Sequence, residues 1–197
     1  MGPRERMLST AMRLIRYQGI AATGVLQVLA EARAPRGSLY HHFPGGKSQL
    51  VAEALQLNAD QVTHALRHII DAAPDAGTAV SRYADVLARD LESTDFQAGC
   101  PLATAVLEQA ATDDVVAEIG DRAFDTWRRV IGEEMRQGKV DGADDLALLC
   151  VAALEGALVL ARANRDAAPL HLIAETLRSL TERSEGSSPR SAERPSP

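Results

Sequence analysis

Apolar residues recur along this chain at three- and four-residue intervals, the spacing that lines one face of an α-helix. Met7, Leu8, Ala11, Met12, Leu14 and Ile15 predict a first helix from Pro3 to about Gln18, stopped by Gly19. A second follows Thr23, a candidate N-cap, with Val25, Val28 and Leu29 on one face. Arg33-Ala34 turns the chain into a third, Pro35 to about His42, and Pro44-Gly45-Gly46 breaks the pattern. Helix four, Lys47 to about Ala72, is long, with Leu50, Val51, Leu55, Val62, Leu66 and Ile69 among its apolar positions. Helix five starts near Thr78 with Tyr83, Val86, Leu87 and Leu91 inward, and helix six opens at Cys100-Pro101. Thr112-Asp113-Asp114 caps helix seven, whose acids suit the positive end of the helix dipole. Helix eight is predicted from about Ala143 to Asn164 and helix nine from Pro169 to about Glu182. No five-residue run alternates strictly between polar and apolar residues with flanking turn residues, so the expected fold is all-α.

Composition changes this picture little. Of 197 residues, 46% are hydrophobic but only 4% aromatic, so Leu, Val, Ile and Ala must do most of the packing. Cys100 and Cys150 are too few for a disulfide scaffold. The most apolar run, Leu146 to Ala161, is interrupted by Glu155 and reads as too short to span a bilayer, which makes a cytoplasmic protein without membrane association the expectation. The Ser/Pro/Arg/Glu tail after Arg183 is expected to be disordered.

Charge changes it more. The formal net charge is −6, yet residues 1–47 hold seven basic against two acidic residues, a net +5 that leaves −11 on the remainder. A basic head on an acidic body suggests that the head alone faces a polyanion. Helices one to three have the dimensions of a bundle ending in a helix-turn-helix, whose second helix enters the major groove N-terminus first. The residue types of helix three fit that role. Arg36 can grip guanine edges or phosphate, Gly37 lets the backbone approach, and Ser38 and Tyr40 offer hydroxyls. His41 and Lys47 suit phosphate contacts, while Leu39 and Phe43, four apart, should anchor the helix in its own core.

At this point residues 4–50 resemble the DNA-binding domain of the TetR/AcrR family of transcriptional regulators. The likeness rests on Ala11, Gly19, the turn from Ala30 to Gly37, and Leu39-Tyr40-His41-His42-Phe43 followed by a lysine and Leu50. Two features depart from the usual pattern: Thr23-Gly24 stands before helix two, and Phe43-Pro44-Gly45-Gly46-Lys47 is one residue longer than the common linker. With Gly99-Cys100-Pro101-Leu102-Ala103, they resemble the branch of LmrA/YxaF-type regulators. The resemblance implies a helix-turn-helix domain at 1–46, an effector-binding and dimerisation domain at 47–183, and a tail at 184–197. It implies operator DNA contacts from Thr23, Gln27, Arg36, Gly37, Ser38, Tyr40, His41 and Lys47. It also implies a small-molecule pocket among helices four to eight, pointing to Leu66, Leu87, Leu91, Cys100, Leu102, Val106, Phe124, Trp127 and Ile131.

Helix eight is apolar nearly all round, and such a helix must be covered on several sides. In TetR-like proteins the last two helices form a four-helix dimer interface, which here implies Leu149, Ala153, Leu160, Ile173, Leu177 and Leu180. His64 and His68 share a helix face without an obvious third ligand, so no metal site is expected. Cys100, at a helix start, reads as a cavity-lining residue or a redox sensor, and Cys150 as packing. Gly46-Lys47-Ser48 lacks the upstream glycine and strand of a phosphate-binding loop, and no Ser/His/Asp arrangement suggests an enzyme. The expectation is a homodimeric regulator, a repressor released from operator DNA by a small apolar or amphipathic effector, without a cofactor. A helical small-molecule-binding or scaffolding dimer without DNA activity is the alternative.

Overall fold

Prolines and short polar side chains set many of the helix starts. The computed structural model describes residues 1–185, and these form nine α-helices. They are α1 (Pro3–Ala22), α2 (Val25–Glu31), α3 (Ser38–His42), α4 (Gly46–Asp71), α5 (Ala76–Ser93), α6 (Pro101–Gln109), α7 (Asp114–Gln137), α8 (Ala143–Asn164) and α9 (Ala168–Glu185). The Asp75 carboxylate accepts the Thr78 N–H at 2.7 Å, and Asp113 accepts those of Val115 and Val116 at 3.0 and 3.2 Å. These caps satisfy donors that the first helical turn leaves unpaired. The residues expected to form a tail beyond Glu185 lie outside the described part of the chain.

Three starts and stops differ from expectation. Gly19 does not end α1 but bends it: at φ 79° its backbone leaves the helix, and the chain re-enters a last turn through Ala22. Thr23 does not cap α2; Gly24 holds that position, and the Thr23 hydroxyl instead donates to the Gly19 carbonyl at 2.6 Å. Helix α3 begins at Ser38 rather than Pro35, because Pro35 to Gly37 form a turn in which the Ser38 N–H donates to the Pro35 carbonyl at 2.9 Å.

The buried side chains gather into two cores. The first joins α1, α2, α3 and α4 to α6 and α7 through Met7, Ile15, Phe43, Leu50, Leu55, Leu102 and Trp127. The second joins α5, α8 and α9 to the end of α7 through Leu91, Met135, Cys150, Leu154, Leu170 and Leu177. Each such side chain taken from water contributes about 1.5–3 kcal/mol. The first core runs across residue 46 without a break, so the opening helices rest on the body instead of hanging from it.

Helix α8 presents two unlike faces. Ala147, Cys150, Leu154, Ala157 and Ala161 are buried in the second core, whereas Leu148, Leu149, Val159 and Leu160 remain exposed. Contrary to the sequence expectation, this helix is long and apolar enough to cross a membrane by length and composition. Its packed face is a core face, so only the exposed side needs another explanation.

Candidate nucleic-acid interface and effector cavity

The turn between α2 and α3 is built by backbone bonds and one side chain. Ala34 N–H donates to the Leu29 carbonyl at 2.9 Å and Arg33 N–H to that of Ala30 at 3.1 Å. This is the closure that usually places glycine in the left-handed region, and here Arg33 occupies it at φ 50°. The Arg6 guanidinium reaches from α1 to the Ala32 carbonyl at 2.9 Å and to that of Arg33 at 3.4 Å, filling acceptors the end of α2 leaves open. Arg4 lies over the Phe43 ring, 5.3 Å from its centroid, and is bonded to Glu53 of α4. Leu39 and Phe43 are buried, as their spacing suggested, which pins the inner side of α3.

What remains outside is short and positive. Tyr40 is 70% exposed, and Arg36, Gly37 and His41 lie on the same open surface. The Arg33 and Arg36 guanidinium groups have no hydrogen-bond or ion-pair partner among the described residues. The nearby acid Glu31 is bonded by Arg13 and Gln27, which hold its carboxyl below the ordinary range, so its charge is answered locally.

Other expected contacts are committed elsewhere. Thr23 is 2% exposed and cannot present its side chain to DNA. Gln27 is half-buried, accepting from Gln18 at 3.0 Å and donating to Glu31 at 2.9 Å. The Ser38 hydroxyl donates to the Pro35 carbonyl at 2.6 Å, which uses the proton a phosphate would need. Lys47 donates to the Ile20 carbonyl at 2.9 Å, so its ammonium is held against α1 with two hydrogens left.

Two connections tie α1 to the body. At the Gly19 bend, the Glu108 carboxylate of α6 accepts the Ile20 and Ala21 N–H groups at 2.8 and 3.2 Å. A Cβ on Gly19 would stand 1.7 Å from a Glu108 oxygen, so the bend and the glycine belong together. One turn earlier, Arg16 is paired with Asp90 of α5 and donates to the Gly99 carbonyl at 3.3 Å, while Gly99 N–H donates back to the Arg16 carbonyl at 2.9 Å.

That second connection forms the rim of a cavity of about 160 Å³ between α1, α4, α5, α7 and α8. Leu87, Leu91, Cys100 and Trp127 line it, as do Tyr83, Asn58, Asp90, Glu155 and Leu158, which the sequence reading did not select. Leu66 and Ile131 line a small adjoining void, which Tyr83, Leu87, Trp127 and Glu155 share with the main cavity. Three expected lining residues lie elsewhere. Leu102 is wholly buried in the first core, and Val106 occupies the space beside Gly120, where a Cβ would meet it at 2.4 Å. Phe124 packs edge-on against Trp127, centroids 5.3 Å apart, behind the cavity wall. The one sequence signal for the missed group was Glu155, the acid that interrupts an otherwise apolar helix.

The cavity's polarity is unusual. Burial pushes the Glu155 carboxyl up to about 7, moderated by a hydrogen bond with the Cys100 thiol. Burial and the neighbouring Glu155 also push the Cys100 thiol well above its ordinary range, so it is no activated nucleophile despite its place at a helix start. Burial raises the Tyr83 hydroxyl likewise. The Asn58 carbonyl oxygen is buried without a hydrogen-bond partner.

The helix-turn-helix with an exposed basic edge, resting on a helical body, defines a DNA-binding regulator. Residues 7–54 match the family of bacterial regulatory proteins called tetR, and residues 76–176 match the C-terminal domain of LmrA/YxaF-like transcriptional regulators. The chain is 39% identical to the HTH-type transcriptional regulator Rv0196 of Mycobacterium tuberculosis, over 91% of this chain and 94% of that one. It is 32% identical to YxaF of Bacillus subtilis, over 88% and 92% of the two chains. Among solved structures, the TetR-family regulator CifR, a cysteine mutant bound to 26-bp operator DNA, shares the fold. Its TM-score is 0.76 at 22% identity, covering 89% of this chain and 94% of CifR.

The chain belongs to the TetR family of transcriptional regulators, in the LmrA/YxaF-like group, a class that acts by binding DNA and not by catalysis. The scaffold without DNA activity falls with that assignment. For the dimer surface expected from the sequence, Leu149 and Leu160 are exposed and Ala153, Ile173 and Leu180 half-buried, but Leu177 is 3% exposed within its own chain, packed in the second core. Leu172, which was not selected, is 67% exposed on α9.

Proposed function

We propose that the protein is a homodimeric repressor, released from its operator by a small amphipathic molecule that enters the cavity beside Trp127. The observation that carries this reading is the Arg16–Gly99 connection, because it makes one wall of the cavity a direct contact of α1. A ligand that shifts Gly99 or Asp90 acts on the helix whose Arg6 holds the recognition turn, with α4 and its Lys47 as a second route. Repression needs no further surface, since a protein seated on an operator excludes others by its volume. The two recognition helices of a dimer must sit about one helical turn of DNA, about 34–36 Å, or a multiple of it apart to enter major grooves on one face of the duplex. The ligand must favour a different separation, because equal affinity for both forms would shift nothing. The exposed Leu148, Leu149, Val159 and Leu160 of α8, with Leu172 of α9, supply an apolar face for the second copy. Arg36, Tyr40 and His41 carry the DNA contacts, with Gly37 allowing approach, and the protein works in the cytoplasm, where operator DNA is.

The test is a gel-shift titration with the DNA upstream of the protein's own gene. Binding that weakens steeply with salt, and that is weakened in Arg36→Ala or Tyr40→Ala while the fold persists, is expected. Unchanged affinity in both variants overturns the docking. Structures with and without ligand that show the same separation of the α3 helices, despite lost affinity, overturn the switching mechanism.

A further inference from the structure

The chemistry of the cavity narrows the class of effector, on the reading that this cavity is the effector site. Its wall carries the Tyr83 hydroxyl and the Asn58 and Gln61 amides, which can donate as well as accept, and one acid, Glu155, without a cation beside it among the described residues. The Asn58 carbonyl oxygen is buried and unpartnered. The Glu155 carboxyl borders the same space, hydrogen-bonded to the Cys100 thiol, and no ion pair reaches it among the described residues. The one guanidinium on the wall, Arg16, is already taken by Asp90 and the Gly99 carbonyl. A carboxylate or phosphate entering here would find no available cation and would lie against an acid. A buried acceptor left without a donor costs free energy that a ligand with donors can recover. Trp127 and Tyr83 add electron-rich ring faces, which attract a cation.

We infer that the effector is an amphipathic primary amine, its ammonium donating to Glu155 and Asn58 and its apolar body lying against Trp127 and Leu87. An ammonium brings three donors and a positive charge, matching two acceptors of which one ionises. The titratable or charged groups that line the cavity with Glu155 are Tyr83 and Asp90 from α5, Cys100 from the segment before α6, and Arg16 from α1. From α4 and α7 come only the uncharged Asn58, Gln61, Val62 and Trp127. Tyr83 and Cys100 stay neutral throughout the working range, since burial raises both. Asp90 remains paired with Arg16, so Glu155 is the group that changes charge near neutrality.

The experiment is calorimetric titration of the full chain with three probes of one shape: 1-naphthylmethylamine, 1-naphthylmethanol and 1-naphthoate. At pH 8 the amine is expected to bind at least about tenfold more tightly than the alcohol, and the acid not at all. Amine affinity should rise about tenfold between pH 6 and 8 as Glu155 ionises, while that of the alcohol stays level. Glu155→Gln should abolish both the preference and the pH dependence while keeping alcohol binding, and the wild-type pH profile stands even if that variant folds poorly. Equal or tighter binding of the alcohol or the acid overturns the amine assignment. If that compound also releases operator DNA, the cavity remains the effector site and only the chemical class is wrong. Silence from all three probes, with no release of DNA, counts against both readings.

Discussion

The first three helices and the cavity beneath them handle polar groups in opposite ways. In the helix-turn-helix, Arg4, Arg6, Arg13, Gln18, Thr23, Gln27 and Ser38 all bond to other groups of the chain, and the few side chains left free, Arg36 above all, are exposed to solvent. In the body the uncommitted groups face the cavity: the Asn58 oxygen has no partner among the described residues, and Glu155 is an acid whose partial burial raises its carboxyl. A surface that must meet a rigid duplex gains from side chains already held in place, since fewer rotamers are lost on docking. A site that must change an equilibrium gains from polarity that only a ligand can satisfy, because that is where differential affinity arises.

Four perturbations would break or sharpen this contrast. The largest effect is expected from charging the exposed α8 face. Leu149→Glu with Leu160→Glu should give a monomer in analytical ultracentrifugation and lower operator affinity about 10²–10⁴-fold, as the linked second site is lost. A variant that remains dimeric would mean that this face is not the interface. Next is Gly19→Ala, where a side chain must take φ 79° and displace Glu108, freeing two N–H groups. A loss of about 3 kcal/mol in urea unfolding is expected, together with weakened DNA binding.

Third comes pH. The Glu155 carboxyl is raised from an ordinary 4.5 to about 7 in the folded chain, so the folded state holds its proton longer than the unfolded one. Its contribution to stability is fully present below about pH 4.5 and is lost as pH rises through 7, on the order of 2–3 kcal/mol. Glu155→Gln should flatten that part of the stability profile measured by urea unfolding at stepped pH. A wild-type profile with no fall between pH 5 and 8 would place Glu155 in contact with water. The smallest effect is expected at the DNA surface, where Arg36→Ala and Tyr40→Ala should each cost about 1–3 kcal/mol of operator affinity. Both side chains are exposed, so the melting temperature should stay unchanged.

Much of this was legible from local pattern. The span of α8 agrees with the expectation from its apolar run, and Leu39 and Phe43 are buried where their spacing placed them. Helix ends set by distant partners were not legible. Gly19 reads locally as a stop, but Glu108, far along the chain, supplies the acceptors that let the helix resume. Thr23 reads as a cap in front of an apolar run, yet the carbonyl freed by the same bend claims its hydroxyl. The spacing of Leu170, Ile173, Leu177 and Leu180 predicts an apolar stripe on α9 without saying what covers it, and α5 of the same chain covers the part that includes Leu177.

The sequence by itself determined the helical pattern, the basic opening segment and the family likeness, because each is written in residues a few positions apart. The tertiary structure alone decided which polar groups are spent and which remain. It tied Lys47 to α1, buried Thr23, brought Arg16 to the cavity rim and left Glu155 and Asn58 facing the same space. Burial and hydrogen-bond partnership depend on residues tens of positions away, and no local spacing encodes them.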